Sequence, residues 1–428
     1  MTRDAATAAT MVLAPLDEIT PGLDELYRDL HRHPELSWAE ERTAAEVARR
    51  AEGLGFEVTT GVGRTGVVAL LRNGDGPTAL LRADMDALPV EERTGLPYAS
   101  TATGVDAEGG PVPVMHACGH DMHVTCLLGA ADLLARSRES WSGTMMAVFQ
   151  PAEEVGGGAE AMVADGLFDR FGHPDVVLGQ HVAPFPAGMV ALRSGPSFAA
   201  TDGLEVTFFG RGGHGSRPET AIDPVVMAAA AVLRLQTVVA REIAGSDTAV
   251  VTVGAIHAGQ EDNVIPDTAE IKVNIRTTTP VVRARVVAAV ERIVRAEAAA
   301  SGAERDPLIT VTKAFPVLDN DAGAIARASQ AFVRVLGQDK VMAAPVVTGS
   351  EDVGVFGAAA KAPTAYWLLG GVDPRSFAAA AQSGTVERDI PSNHQATFAP
   401  LIEPTVTTGI TALTAAALEW LSPSHGAG

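Results

Sequence analysis

Met115-His116-Ala117-Cys118-Gly119-His120-Asp121-Met122-His123 places five residues with metal-binding or acid/base side chains within eight positions. An apolar, Ala- and Leu-rich helical stretch, Val124–Leu134, follows at once. Packing gives no reason to concentrate titratable groups where a strand ends and a core helix begins. Imidazole and thiolate suit zinc and neighbouring transition metals, so this stretch reads as the centre of a metal site on an α/β scaffold. Cys126, inside the apolar helix, reads as a small buried hydrophobe.

Other strand ends carry matching chemistry. Ala79-Leu80-Leu81-Arg82-Ala83-Asp84-Met85-Asp86 runs an apolar strand into two carboxylates, and Val176-Val177-Leu178-Gly179-Gln180-His181 ends in a histidine. Thr144–Phe149 leads into Gln150-Pro151-Ala152-Glu153-Glu154-Val155-Gly156-Gly157-Gly158. Consecutive carboxylates at a strand end diverge, so one can bind a metal while the other accepts a proton from an attacking water. Late in the chain, Pro391-Ser392-Asn393-His394 precedes the last helix. In open α/β sheets, sites form beyond the carboxyl ends of the strands, where these residues are expected to converge. Cys118, His120, Glu154, His181 and His394 supply enough ligands for two metal ions about 3.5–4 Å apart.

One motif is a decoy. Gly61-Val62-Gly63-Arg64-Thr65-Gly66 matches the dinucleotide fingerprint, but that mechanism needs a helix to begin there, and Val67–Leu71 is a strand pattern. A hairpin loop is the expected structure. There is no G-x-S-x-G nucleophile elbow.

The 428 residues include 32 Lys+Arg against 52 Asp+Glu, a formal net charge of −20, and the basic residues are scattered. Phosphate binding needs clustered Lys and Arg, so nucleic acid is not an expected partner. No apolar run approaches the roughly 18–20 residues of a membrane span, and Met1 to Thr20 shows no charged-then-apolar pattern, so no membrane is expected. Two cysteines, Cys118 and Cys126, cannot form a disulfide framework, which fits a reducing compartment and a cytoplasmic location.

At roughly 100–200 residues per domain, two domains are expected. Leu23–Ala51 reads as helical, interrupted at His33-Pro34, and the strands above follow it with Phe56–Thr60 and Val67–Leu71. The pattern changes near Pro184–Gly188. The next block reads as strand, helix (Ile222–Ile243), strand (Ala249–Ile256), strand (Ala269–Arg276) and helix (Val281–Ala300). Strands near Leu308–Lys313, Val341–Val347 and Thr364–Leu369 and a helix at Pro404–Leu421 resume the first pattern. The expected organisation is a first domain in two parts, residues 1–188 and 305–428, with an α+β domain, 189–304, inserted between them.

From about Leu30 to Leu421 the sequence resembles the di-metal aminoacylase and carboxypeptidase family, in the amidohydrolase branch of hippurate hydrolases, N-acyl-amino-acid amidohydrolases and auxin-conjugate hydrolases. The resemblance rests on Leu30-His31-Arg32-His33-Pro34-Glu35-Leu36, Arg82-Ala83-Asp84-Met85-Asp86-Ala87-Leu88-Pro89, His116-Ala117-Cys118-Gly119-His120-Asp121, Gln150-Pro151-Ala152-Glu153-Glu154, Gly212-Gly213-His214-Gly215-Ser216 and Asn263-Val264-Ile265-Pro266, in that order.

The resemblance implies a di-metal aminopeptidase-like α/β catalytic domain with an inserted lid and dimerisation domain, hence a homodimer. It implies Cys118, His120, Glu154, His181 and His394 as metal ligands, with Cys118 bridging two divalent ions: zinc first, with manganese, cobalt and nickel also compatible. Glu153 matches the general base and Asp86 a carboxylate that supports the ligands. His214 matches a histidine that reaches a neighbouring subunit's site and steadies the oxyanion. Asn263 and Arg276 match positions that hold the substrate carboxylate. Ser350-Glu351-Asp352 lies in a family segment near the site, with no assigned chemistry.

Peptidase members carry a His where this chain has Asp84 and an Asp as the bridging ligand where it has Cys118. The expected reaction is therefore hydrolysis of the amide bond of N-acyl amino acids, small molecules, to a carboxylic acid and an amino acid. A metallo-dipeptidase or carboxypeptidase is the alternative within the enzyme class. A non-catalytic binding protein on the same fold is the alternative of another class.

Overall fold

The computed structural model describes residues 5–106 and 108–421; the outer ends of the two expected flanks, residues 1–4 and 422–428, lie outside the described residues. The chain divides into two compact units. One comprises the chain up to Gly195, Asp319–Pro345 and the stretch from Asp352 onward; the other comprises Pro196–Leu318 and Val346–Glu351.

The first unit is built on an eight-stranded mixed sheet. Its order is Glu57–Val62, Gly66–Asn73, Gly143–Gln150, Thr78–Asp84, Val176–Pro186, Thr364–Val372, Val190–Leu192 and Val341–Ala343. The four strands in the middle run parallel. Their near-continuous Val, Leu, Ala and Met runs are buried, as parallel strands covered by helices require. Because they share a direction, their carboxyl ends share one edge, where Asp84 pairs with Gln150 in register.

Two helices, His120–Arg136 and Thr405–Leu421, pack against each other and on the Thr78–Asp84 strand. Both are apolar around nearly their whole circumference, the pattern of helices enclosed by a core. The expected Leu23–Ala51 helix is two helices, Leu16–Arg32 and Glu41–Gly53. Pro34 removes a backbone donor and biases His33 away from helical geometry, so the first helix ends before it. The Gly61–Gly66 stretch is the expected hairpin turn, with Arg64 at φ +85° and the Gly66–Asn73 strand directly after it.

The second unit is a four-stranded antiparallel sheet, in the order Ala249–Ala258, Thr268–Thr277, Ala200–Phe209 and Leu308–Phe315. The chain order is β-α-β-β-α-β, a split βαβ arrangement. Ala269, Ile271, Val273 and Ile275 alternate along one strand to face a core shared with the helices Pro224–Glu242 and Pro280–Ala300. Both helices open with a capped N-terminus and proline at the first position: Asp223 accepts from Val225 N and Thr279 from Val282 N.

Three expectations need correction. The strand at Leu308–Phe315 pairs with Ala200–Phe209, so the stretch after residue 304 belongs to the second unit, and Val190–Leu192 belongs to the sheet of the first. A short strand's pattern records which face is buried and not which sheet it joins, so the limits of 189–304 were not readable locally. The expected Val341–Val347 strand stops at Ala343. Finally, Pro224–Glu242 has 19 residues at a mean hydropathy of 1.4, long and apolar enough by length and composition to cross a membrane, contrary to the expectation that no run approaches that length. Here it buries Met227, Ala228, Ala231, Leu235 and Val238 on the sheet, while Leu233 stays 75% exposed.

Candidate metal centre

Cys118 and His120 sit at the start of a helix, Glu154 just after a strand, His181 within a strand and His394 in a loop. Gly119, at φ +86°, turns the chain into the His120–Arg136 helix. A Cβ there would also meet Val182 Cγ1 at 2.3 Å, so only glycine lets Cys118 and His120 flank this turn. His181 lies within the Val176–Pro186 strand, and Glu154 follows the Gly143–Gln150 strand through the Pro151–Glu153 turn. His394 sits in a loop at φ +72°, fixed by its N–H donating to Ala117 O at 2.7 Å.

These five residues are brought together. The donor atoms of Cys118, His120 and His181 lie within 4.8 Å of one another, and so do those of Cys118, Glu154 and His394. The two groups share Cys118 Sγ, which is 3.5 Å from His181 Nε2 and 3.2 Å from His394 Nε2. His394 Nε2 is 3.4 Å from Glu154 Oε1. A third group joins His120, Glu153 and Glu154, so the expected base lies beside the expected ligands.

The surrounding bonds aim the ligands. His120 Nδ1 lies 3.2 Å from Asp86 Oδ1, which turns Nε2 inward, where it is buried without a hydrogen-bond partner. Asp86 Oδ2 accepts from Glu154 N at 3.0 Å and from the Ser37 hydroxyl at 2.6 Å. His181 Nδ1 donates to Val182 O at 2.8 Å and leaves Nε2 toward Cys118. Such outer partners fix the tautomer and direction of a ligating imidazole.

The electrostatics call for a cation. Burial pushes the Cys118 thiol up, and the Glu154 and Glu153 carboxylates push it further. Burial alone would lower His120, but Asp84 and Asp86 raise it to about 10. Burial lowers His181 to about 4, which keeps the ring neutral, the form in which imidazole ligates a metal. With Asp84 paired to Arg82, the carboxylates of Asp86, Glu153 and Glu154 around the buried His120 and Cys118 form a site that a divalent ion would neutralise, and N, S and O donors of this kind suit zinc and its neighbours. The residues present fit a two-metal centre.

Several neighbours of the expected ligands carry no assigned chemistry in the sequence. Asp84 is fully buried; Arg82, His120 and His123 overcome that burial and hold its carboxyl well below the usual range. His123 Nδ1 is 2.5 Å from Asp84 Oδ1, and its Nε2 accepts from Val182 N at 2.8 Å. Asn393 Nδ2 donates to Cys118 O and Val182 O, each at 3.1 Å, tying the backbones of two ligand segments. Asp352 accepts from Arg82 Nη2 at 3.1 Å and from Gln150 Nε2 at 2.7 Å. A readable signal existed for Arg82, a charge inside an otherwise apolar strand. Asn393 and Asp352 lie in motifs near the site, but their roles were not readable there, because their partners are more than 190 residues away.

The other three expected residues belong to the second unit. His214 and Val264 pair across a short two-stranded ladder, and Gly215 N donates to Asn263 O at 2.7 Å, so His214 and Asn263 are neighbours there. Both are exposed. His214 Nδ1 accepts from Ser216 N at 3.1 Å, which leaves the ring proton on Nε2. Arg276 stands on the other sheet, in the Thr268–Thr277 strand, with Nη1 donating to Thr348 O at 2.6 Å.

Residues 80–396 match the peptidase family M20/M25/M40. The chain belongs to that family. This M20-family chain is 38% identical over 339 residues to the hippurate hydrolase of Campylobacter jejuni, an alignment covering 78% of this chain and 84% of that one. It is 36% identical over 359 residues to thermostable carboxypeptidase 1 of Saccharolobus solfataricus, covering 82% and 86%. Its structure superposes at a TM-score of 0.74 and 29% identity on the Bacillus subtilis YXEP protein, a dinuclear metal binding peptidase of the M20 family, covering 95% of this chain and all of that one. The family and these relatives make this M20-family chain a metal-dependent hydrolase of amide bonds with the dinuclear peptidase fold.

Proposed function

We propose that the chain hydrolyses the amide bond of N-acyl amino acids, R–CO–NH–CHR′–COO⁻, releasing a carboxylic acid and a free amino acid. The observation that carries this reading is the pair of three-donor groups sharing Cys118, with Glu153 beside Glu154 in the same turn. The likeness to a hippurate hydrolase supports the substrate class.

Cys118, His120 and His181 would hold one divalent ion and Cys118, Glu154 and His394 a second, with Cys118 common to both groups and Asp86 orienting His120. Zinc is the proposed metal, and manganese, cobalt or nickel suits the same donors. When bound, the pair acidifies water and polarises the scissile carbonyl. Glu153 accepts the proton of the attacking water and later delivers it to the leaving amine. His214, with its proton on Nε2, donates to the oxyanion of a neighbouring subunit's substrate, a donor already in place before charge develops. Asn263 and Arg276 bind the substrate carboxylate, and the guanidinium fork suits that bidentate geometry better than a lysine would. A cytoplasmic setting is the proposed location, since two cysteines, one of them a proposed metal ligand, supply no disulfide framework.

The test is amine release from a panel of hippurate, N-acetyl amino acids and dipeptides, before chelation, after it, and with metals restored. Release from the N-acyl amino acids that stops with chelator and returns with metal is the expected result. Faster release from dipeptides would shift the reading to a peptidase, which the likeness to a carboxypeptidase keeps in view. No release under any metal would point to a non-catalytic binding protein.

A further inference from the structure

We infer that Glu40 is a positioning residue that sets the general base by holding the backbone of Ala152. This inference rests on the assignment of Glu153 above. Glu40 is fully buried, yet among the described residues its carboxylate forms no ion pair with Lys or Arg; it collects hydrogen bonds from three donors instead. Oε1 accepts from Ala152 N at 2.8 Å and Trp38 N at 2.9 Å, and Oε2 accepts from the Thr65 hydroxyl at 2.5 Å. It stands just ahead of the Glu41–Gly53 helix, where its side chain makes no capping bond.

Ala152 is the residue before the base, and its φ is +49°. A residue with a Cβ resists the left-handed region and stays there only where its surroundings over-determine it. The turn is clamped on both sides. Glu40 takes the Ala152 N–H, while the Ala152 carbonyl accepts from Gly158 N at 3.2 Å and Gly157 N at 3.4 Å. Gly158 lies so close that a Cβ would be 1.6 Å from Pro151 O. With Glu40 withdrawn, the N–H on one side of the turn loses its buried acceptor, and the peptide that leads into Glu153 is free to rotate back toward ordinary φ. The direction in which the Glu153 carboxylate leaves the backbone follows that peptide.

Two variants separate geometry from charge. Glu40→Gln keeps an accepting oxygen at the same reach and removes the charge; Glu40→Asp keeps the charge and draws the oxygens back by one methylene. We expect the Gln variant to hold kcat near wild type. We expect the Asp variant to lose about 10²-fold in kcat, the scale of an ångström-sized misplacement, with KM and metal per chain, measured by inductively coupled plasma mass spectrometry, unchanged. A Gln variant as slow as Asp, an Asp variant at full rate, or loss of metal in either overturns the inference, provided Glu153→Gln is inactive. Full activity of Glu153→Gln would instead overturn the assignment of the base. Should Glu40→Asp fail to fold, Thr65→Val frees Oε2 from a half-buried site outside the turn; lower kcat at constant KM is expected there, and an unchanged kcat overturns the inference.

Discussion

Glu153 and Glu154 are adjacent in the turn after the Gly143–Gln150 strand, and although their oxygens lie within 4.8 Å of each other the proposal gives them different tasks. The donor atoms of Glu154 group with Cys118 and His394, and Glu153 groups with His120 and Glu154. Glu153→Gln is expected to keep two metal ions per chain and to lower turnover by about 10²–10⁴-fold, the range for a general acid–base group; metal analysis beside steady-state kinetics checks both halves. Asp86 acts at one remove, through His120 Nδ1 and the Glu154 N–H. Asp86→Ala is expected to weaken metal binding by about 10–100-fold, read by titration of the apo-protein with zinc against a competing chelator. If affinity is unchanged, Asp86 does not orient the ligands.

At the scale of elements, the His120–Arg136 helix starts at the site and is held there by a second buried cluster. His31, on the Leu16–Arg32 helix, is completely buried, with Nδ1 2.7 Å from Asp121 Oδ2 and Nε2 3.1 Å from Glu92 Oε1. Burial by itself would lower its pKa, but the bonds to Asp121 and Glu92 raise it from 6.5 to about 10. The fold therefore favours the protonated ring relative to the unfolded chain. That stabilisation is complete below about 6.5 and is lost as pH rises toward 10. The Tm is expected to fall between pH 7 and pH 10, and His31→Gln is expected to flatten that slope; parallel melting curves for the two proteins decide it. An equal slope in both would remove His31 as its source.

For the whole molecule, the second unit has an edge strand, Ala249–Ala258, with one side unpaired in its sheet. Val250 and Ile256 on that strand and Leu233 on the neighbouring helix are exposed apolar groups. An unpaired edge with apolar neighbours is a template for pairing, and a two-fold axis lets the same edge meet its own copy. A homodimer through this surface is the proposed assembly, in which each His214 serves the other subunit. Leu233→Glu combined with Ile256→Lys is expected to give a monomer by light scattering, with metal content unchanged and activity sharply reduced. A dimer that survives both substitutions would place the interface elsewhere.

The candidate site was legible in the sequence because most of its expected ligands lie in short motifs beside elements: Cys118 and His120 at the start of a core helix, Glu154 just after a strand, with His181 within a strand and His394 in a loop. Burial periodicity and turn residues mark those ends locally. Folding decided what the motifs could not carry. Glu40 meets Ala152 across 112 positions and His31 meets Asp121 across 90, so neither role leaves a local trace. The Leu308–Phe315 strand joined the second unit through its pairing with Ala200–Phe209, which its own pattern does not encode. A sequence determines which side chains are available and which faces seek burial; which buried carboxylate meets which donor depends on long-range pairing, and only the tertiary structure makes that choice.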